Sequence, residues 1–304
     1  MPDVVVIGAA TRDLDPGGRG AWRSGGGVSY GALLLARLGL RVGALVGLDH
    51  VSVEAGEPAI LRAAGVDVVT VELSHGPVFE NRETPAGRWQ VCHDTSDPLP
   101  VSAIPPAWRG SPAFLFAPVA GELGPEWADV PSSDATVALG WQGLLRRLAP
   151  GRPTGLLAPV SGPVQQRADL VAISREDLPV PGDDASLRGD GLDRLLARPG
   201  QALVVTAGQR GGLYLRRTRA GSLEARAWPA LRARRHVDPT GAGDVFLAAL
   251  LAAHLALGAD DGGERRALRF AAAAASLSVE GGGLSAVPDL ARIRGRLLEA
   301  RSAG

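Results

Sequence analysis

The residue types and spacing best suited to chemistry occur in the run Thr240-Gly241-Ala242-Gly243-Asp244, which opens a long apolar segment. Glycine lets the backbone approach a ligand closely, and the first N–H groups of a helix, which lack partners within it, converge on an anion at the positive end of the helix dipole. An aspartate at the same helix start can take a proton from an attacking hydroxyl. The run therefore predicts an anion site beside a general base, although an ordinary helix entry capped by aspartate has the same pattern.

The segments that must position this run alternate between strand and helix. Short β-branched runs at residues 4–7 and 42–46 are typical of strands buried on both faces of a parallel sheet, and residues 30–38 between them have helical composition. The apolar run after Asp244 predicts a buried helix that ends at Gly258. Further strands are predicted at residues 66–71, 113–117, 136–139, 170–173 and 202–206. This alternation favours a doubly wound α/β sheet.

Two segments interrupt the alternation. Residues 13–27 are dense in glycine, and residues 77–94 contain two extended runs joined by Thr-Pro-Ala-Gly, which favours a hairpin. An antiparallel ribbon has no place inside a parallel sheet, so we expect a small β lid from about residues 11–27 and 75–98 that closes over a substrate. A surface hairpin that merely connects elements is the alternative.

Composition excludes several classes of protein. The 32 basic and 32 acidic side chains balance, which removes the positive field of a nucleic-acid binder. The chain contains no lysine, so a Walker A loop and a Schiff-base or pyridoxal-phosphate site are excluded. The single cysteine, Cys92, excludes an intrachain disulfide. Without a secretory signal or an apolar run of roughly 20 residues, we expect a cytoplasmic protein that binds neither nucleic acid nor membrane.

Residues 237–246, VDPTGAGDVF, closely resemble the C-terminal signature of the ribokinase-like (PfkB) family of carbohydrate kinases. Val6-Ile7-Gly8 with Asp13 is similar to the family's first strand and sugar-contacting aspartate, Gly25-Gly26-Gly27 to its diglycine hinge, and residues 205–211 to the strand and turn beside the nucleotide. Residues 116–122 show a weaker similarity to the inositol-kinase-like members. The resemblance implies one ribokinase-like domain over residues 1–304, with a central, mainly parallel sheet, helices on both faces and the β lid.

The resemblance also implies an activity and its site. The γ-phosphate of ATP would pass to a hydroxyl of a small polyhydroxylated substrate, a sugar in the first place or else an inositol or a nucleoside. Asp244 would be the catalytic base, and the anion hole would consist of Gly241, Ala242 and Gly243. The substrate would contact Asp13, Gly25, Gly26, Tyr30 and Glu122, with an exposed loop acid as the alternative for Glu122. The nucleotide would contact Thr206, Gly208, Gly211, Thr240 and Ser276.

The family pairs ATP with Mg²⁺ and organises it by an Asn-x-x-Glu motif, from which this chain departs. Ser174 and Asp177 stand at those two positions, so Asp177 would contact the metal only indirectly, through water. Tyr30 replaces an asparagine that often contacts the sugar, which indicates either a different substrate or a ring packed under the lid. Gln142 and Arg146 are further candidate phosphate contacts, with a solvated helix face as the alternative for the arginine.

Two other functions fit parts of the sequence. A non-catalytic sugar or nucleotide sensor with the same fold is compatible with the altered motif, but the presence of Asp244 argues against it. Residues 27–31 fit the G-x-S-x-G elbow of a serine hydrolase, yet that elbow requires a preceding strand, which we do not expect in the glycine-rich residues 17–26. An exposed lid edge could also pair with its twin in a homodimer.

Overall fold

The computed structural model describes residues 1–15, 21–84, 87–178, 192–218, 220–258 and 261–302. The strands in these ranges are β1 Val4–Ala9, β2 Thr11–Leu14, β3 Trp22–Gly25, β4 Val42–Asp49, β5 Asp67–Leu73, β6 Val78–Thr84, β7 Gly87–Asp94, β8 Ala113–Phe116, β9 Thr136–Gly140, β10 Arg146–Arg147, β11 Arg152–Pro153, β12 Gly155–Leu156, β13 Leu170–Ser174, β14 Ala202–Thr206, β15 Gly212–Arg217 and β16 Leu223–Trp228. The α-helices are α1 Gly27–Arg37, α2 His50–Glu54, α3 Glu57–Ala63, α4 Pro163–Arg167, α5 Ala242–Leu257, α6 Asp261–Ser278 and α7 Leu290–Ser302.

Nine strands form the central sheet in the order β16-β15-β14-β13-β9-β8-β1-β4-β5. The pairs from β14 to β5 are parallel, and only β15 and β16, at one edge, run antiparallel to their neighbours. The mainly parallel sheet is therefore confirmed, and the strands that we predicted lie at β1, β4, β5, β8, β9, β13 and β14.

Apolar side chains leave both faces of this sheet, as the pleat of a strand requires. In β1, Val4 and Val6 join the core beneath α1, α5, α6 and α7, whereas Val5 and Ile7 join a second core on the other face. That second core is closed by α4, by short 3₁₀ turns and by buried indoles such as Trp127 and Trp141. Helix α5 lies deep in the first core because its sequence is apolar on nearly every side.

A second sheet, which we call the lid sheet, has the strand order β11-β7-β6-β2-β3. Its β2–β3 and β6–β7 hairpins come from the two segments that interrupt the α/β alternation of the sequence. Residues 85 and 86 of the predicted turn lie outside the described residues. The fifth strand, β11, was not predicted: it reaches the lid sheet from the segment after β9 and pairs with β7.

The structure also bears on two other predictions, one about a hydrolase elbow and one about a membrane-spanning segment. A strand, β3, does precede residues 27–31, so our reason for doubting a hydrolase elbow was wrong. The Ser29 side chain that would be the nucleophile is nevertheless fully buried, which leaves no access for a substrate. Within the described ranges, no helix has both the length and the apolar character needed to cross a membrane.

Candidate active site

A cavity of about 240 Å³ lies between the lid sheet and the loop that leads into α5. The lid sheet contributes polar side chains from three strands, and α1 contributes Tyr30. The remaining walls are backbone and side chains of residues 237–240 and of Gly282 and Gly283. The lining residues are Asp13, Leu14, Arg23, Ser24, Tyr30, Asn81, Val237, Asp238, Pro239, Thr240, Gly282 and Gly283. Asp13 and Tyr30, which we predicted to contact the substrate, thus line the same cavity as Thr240, which we predicted to contact the nucleotide.

The loop entering α5 has a conformation that only glycine adopts readily. Gly241 precedes the helix in the left-handed region, with φ 76°. A Cβ atom there would come within 2.5 Å of the Tyr30 ring, which packs directly against the glycine. One turn of the loop is closed by a 3.2 Å hydrogen bond from the Ala242 N–H to the Pro239 carbonyl oxygen. A Cβ on Gly243, by contrast, would meet no atom within 4 Å, so the first turn of α5 faces open space at this residue.

Asp244 lies where two helices begin. It belongs to the first turn of α5, and its Oδ1 would be 2.7 Å from a Cβ atom on Gly27, the first residue of α1. The positive ends of both helix dipoles therefore meet at this carboxylate. Such a group can accept a proton from a hydroxyl brought beside it.

Three carboxylates surround Tyr30. Burial is the largest cause that raises the pKa of the Tyr30 hydroxyl, and the negative charges of Asp13, Asp238 and Asp244 raise it further. The phenol therefore stays protonated and can donate a hydrogen bond. The Tyr30 ring lines the cavity with Asp13 and packs against Gly241, and so connects the cavity to the helix start that carries Asp244.

The two glycines of the diglycine segment, Gly25 and Gly26, leave space for neighbouring atoms because they have no side chains. A Cβ on Gly25 would lie 2.5 Å from Asp13 Oδ2, and one on Gly26, where φ is 95°, would lie 2.7 Å from the Ala9 carbonyl oxygen. The Thr11 hydroxyl donates to Asp13 Oδ1 at 3.3 Å. Neither glycine lines the cavity: Gly25 leaves room for the Asp13 carboxylate, and Gly26 leaves room for the backbone of residues 9–11. A direct contact with substrate stays a prediction.

Glu122 does not have the position that we predicted for a substrate contact. Its side chain is 0% exposed, and its carboxylate accepts backbone N–H groups from Ala9 at 2.9 Å, Val119 at 3.1 Å and Ala120 at 2.8 Å. Burial raises the pKa of the Glu122 carboxyl, while these hydrogen bonds oppose the shift. Glu122 instead joins the end of β1 to the loop after β8, beneath the lid.

Replacing Glu122 by glutamine should destabilise the protein by about 1–3 kcal/mol, because the new amide group would face a backbone N–H donor that then stays unsatisfied. The measurement is the free energy of unfolding in urea. Glu126→Gln, at an exposed position of the same loop region, is the control and should leave it unchanged. A fully stable Glu122→Gln protein would show that these backbone hydrogen bonds contribute little.

The predicted nucleotide residues divide into two groups. Thr206 ends β14, and Gly208 and Gly211 lie in the turn that follows, both with positive φ. Ser276 does not fit the predicted contact with adenine, because it is buried within α6, where its hydroxyl donates to the Ala273 carbonyl oxygen at 2.9 Å and accepts from Arg296 at 2.9 Å.

Asp177 is also engaged within the protein. Its side chain is buried at the end of the β13 region, where Gln142 Nε2 donates to its Oδ2 at 2.8 Å and Arg146 Nη2 lies 3.7 Å from its Oδ1. Among the described residues, no group of three or more His, Cys, Asp or Glu side chains could hold a metal ion. Gln142 and Arg146 thus occupy the Asp177 carboxylate, and its indirect contact with a metal through water stays a prediction.

Comparison with known proteins gives this arrangement a context. Residues 168–290 match the model of the pfkB family carbohydrate kinase. No curated protein sequence matches the chain.

The chain also superimposes on solved structures over nearly its whole length. A pyrophosphate-dependent myo-inositol-1 kinase converted into a myo-inositol-3 kinase is 20% identical, with a TM-score of 0.72 over 96% of this chain and 98% of that one. A pyrophosphate-dependent kinase of the ribokinase family, complexed with a pyrophosphate analog and myo-inositol, is 21% identical, with a TM-score of 0.70 over 98% and 99%. The Arabidopsis thaliana ribokinase complexed with ribose and ATP is 18% identical, with a TM-score of 0.70 over 97% and 98%. The chain therefore shares the ribokinase-like fold over nearly its whole length, and residues 168–290 also match the pfkB family of carbohydrate kinases.

Proposed function

We propose that this protein transfers the γ-phosphoryl group of ATP to a hydroxyl of a small sugar or cyclitol bound in the cavity beneath the lid sheet. The observation that carries the proposal is a cavity that Asp13, Tyr30 and Thr240 line together, directly before the α5 start that holds Gly243 and Asp244. The Tyr30 ring also packs against Gly241 at that helix start. A base, an anion site and a group that recognises hydroxyls are thereby brought together, as phosphoryl transfer to an alcohol requires.

The proposed reaction uses these groups in sequence. Asp13 accepts hydrogen bonds from acceptor hydroxyls and orients one of them toward Asp244. As the acceptor oxygen forms its bond to the γ-phosphorus, its proton passes to Asp244, and the bond from that phosphorus to the β–γ bridging oxygen breaks to release ADP. Backbone N–H groups at the start of α5, around Gly241 and Gly243, stabilise the charge on the phosphoryl oxygens. Closure of the lid sheet over the cavity excludes water as a competing acceptor.

The cavity lining favours a polyhydroxylated acceptor. Asp13, Ser24 and Asn81 offer carboxylate, hydroxyl and amide groups, which are suited to a ring of hydroxyls, and Leu14 is the apolar side chain beside them. Structures with this fold contain myo-inositol and ribose. We therefore place a cyclitol and a furanose sugar first among acceptors, ahead of a nucleoside.

Pyrophosphate is a second candidate donor. The α6 end, where adenine was expected, is covered by the loop after β16: the Val237 N–H donates to the Val279 carbonyl oxygen at 2.8 Å, and the Arg234 N–H to Glu280 Oε1 at 2.6 Å. Ser276 in this region is buried. Pyrophosphate carries no nucleobase and needs only the anion site, and the solved structures that share this fold include pyrophosphate-dependent kinases.

A matrix of donors and acceptors tests the activity. Purified protein with Mg²⁺ is incubated with ATP or pyrophosphate, each with myo-inositol, ribose, other monosaccharides or nucleosides, and ³¹P NMR detects the phosphate ester. We expect an ester that requires both a donor and an acceptor. If neither donor yields an ester with any acceptor while the acceptors still bind, the non-catalytic sensor is the correct function.

We also propose that residues 1–304 form one domain that includes the lid sheet, and that two copies of the chain form a homodimer through their lid sheets. Edge strands β3 and β11 have one open side each, and the Trp89 side chain on β7 is exposed. Sedimentation equilibrium should give twice the chain mass of 31.3 kDa; a monomer at all concentrations would contradict the dimer.

A further inference from the structure

An ion pair joins the lid sheet to the loop that enters α5. Arg23 on β3 places its Nη1 2.9 Å from Asp238 Oδ2, and both residues line the cavity. The Arg23 side chain is 59% exposed, whereas that of Asp238 is only 11% exposed. Among the described residues that line this cavity, Arg23 is the cationic one. The pair therefore closes the cavity at the point where the lid sheet meets the loop.

Asp238 also holds the shape of that loop. Its Oδ1 accepts the Thr240 N–H at 2.9 Å, directly before Gly241, and its carboxylate also accepts the Gly283 N–H. We call residues 238–241 the anion loop. The Asp238 carboxylate thus binds the lid sheet through Oδ2, which contacts Arg23, and stabilises the anion loop through Oδ1, which accepts the Thr240 N–H. Displacing the lid sheet would change the position of the group that organises residues 238–241.

The Arg23–Asp238 ion pair is also connected to Asp13, the residue that we place at the acceptor site. Asp13 on β2 stands directly opposite Arg23 on β3 in the antiparallel pair. Cross-strand partners move together because the ladder fixes their spacing. Asp13 is therefore connected to Arg23 through the β2–β3 ladder, and Arg23 to Asp238 through the ion pair. Asp238 in turn binds the Thr240 N–H, directly before the amides at the start of α5.

We propose that Arg23 is a positioning residue, which couples closure of the lid sheet over the acceptor to the geometry of the anion loop through Asp238. This role rests on the proposed function. An acceptor that draws Asp13 and the β2–β3 hairpin into the closed position favours the Arg23–Asp238 pair, and the pair holds Gly241 and its neighbours ready for the donor. Because coupling between binding sites is reciprocal, the donor must strengthen acceptor binding by the same factor.

The first test measures this factor by calorimetric titration of the acceptor with and without a non-transferable donor analogue. Arg23→Gln should reduce the coupling factor toward one and lower kcat about fivefold, the small size expected of a partly exposed pair, with a smaller effect on the acceptor KM. Asp238→Asn keeps an oxygen for the Thr240 N–H but loses the ion pair, so it should give the same loss. The double variant should be no worse than either single one.

Arg82→Gln is the matched control, because Arg82 is also an exposed lid-sheet arginine paired with a carboxylate, that of Glu80, but does not line the cavity. It should leave coupling and kcat unchanged, and Arg23→Lys should restore part of both. Unaltered coupling in Arg23→Gln, with wild-type activity present, would overturn the proposal while leaving the kinase function intact.

A second test needs no activity. Hydrogen–deuterium exchange of the unliganded protein should become faster in Arg23→Gln at residues 22–25 and, at the same time, at residues 238–243. Arg82→Gln should change neither segment. If exchange accelerates in β3 alone, the lid sheet and the loop are not coupled through this pair, and the inference is wrong whether or not the protein proves to be a kinase.

Discussion

Asp244→Asn should lower kcat by roughly 10² to 10⁴-fold, the usual contribution of a positioned proton acceptor. Asparagine has nearly the same shape, so the packing against Gly27 at the start of α1 should persist, while the amide cannot take the proton of the acceptor hydroxyl. The measurement is the steady-state rate of ester formation with the best donor and acceptor of the matrix assay. Acceptor and donor affinities should change much less than kcat.

The control for this variant is Asp289→Asn. Asp289 Oδ1 accepts the Arg292 N–H at 2.9 Å at the start of α7, a role that asparagine can fill. This protein should keep wild-type activity and stability. Asp244→Asn with near-normal kcat would refute Asp244 as the base, even if the protein is a kinase.

Gly243→Val should lower kcat by about 10² to 10³-fold, because its side chain would keep the phosphoryl oxygens away from the backbone N–H groups, an effect comparable to removing one oxyanion-hole donor. The branched side chain would fill the open space at the first turn of α5, where we place the phosphoryl oxygens. Since a Cβ on Gly243 meets no atom within 4 Å beyond its chain neighbours and the backbone of its own helix, the fold should accept the substitution. The melting temperature should then stay within a few degrees of wild type. The donor KM should rise more than the acceptor KM.

Gly295→Val provides the comparison. Gly295 also belongs to a helix, and a Cβ there likewise meets nothing within 4 Å, but the residue lies within α7 and not at the start of α5. It should leave kinetics unchanged. If Gly243→Val retains both rate and donor affinity, the anion site does not lie at the first turn of α5.

Much of the fold follows from local patterns in the sequence. The strands at residues 4–9, 42–49 and 202–206 are β-branched and apolar because both of their faces are buried, and α5 is apolar on nearly every side for the same reason. The Gly241–Asp244 run was also recognisable, since a left-handed glycine and an open helix start leave a signature within five residues.

Other features depend on contacts between residues far apart in the chain, for which no local pattern exists. Glu122 was expected at the substrate, but its side chain meets Ala9, 113 positions away, in the interior. Ser276 was expected at adenine, but Arg296 from α7 reaches its hydroxyl. The strand β11 has only two residues and joins the lid sheet solely because β7 presents a free edge to it.

The sequence by itself therefore determined the alternation of strands and helices, the glycine-containing loop before α5 where we propose the anion site and its base, and the segments of the lid sheet. It did so because periodicity and glycine placement act over a few residues. The tertiary structure decided which carboxylates are buried, where the Tyr30 ring packs, and that Arg23 reaches Asp238 across 215 positions of the chain. Those outcomes depend on burial and on pairing between distant segments, and both are fixed only when the two sheets and α5 come together.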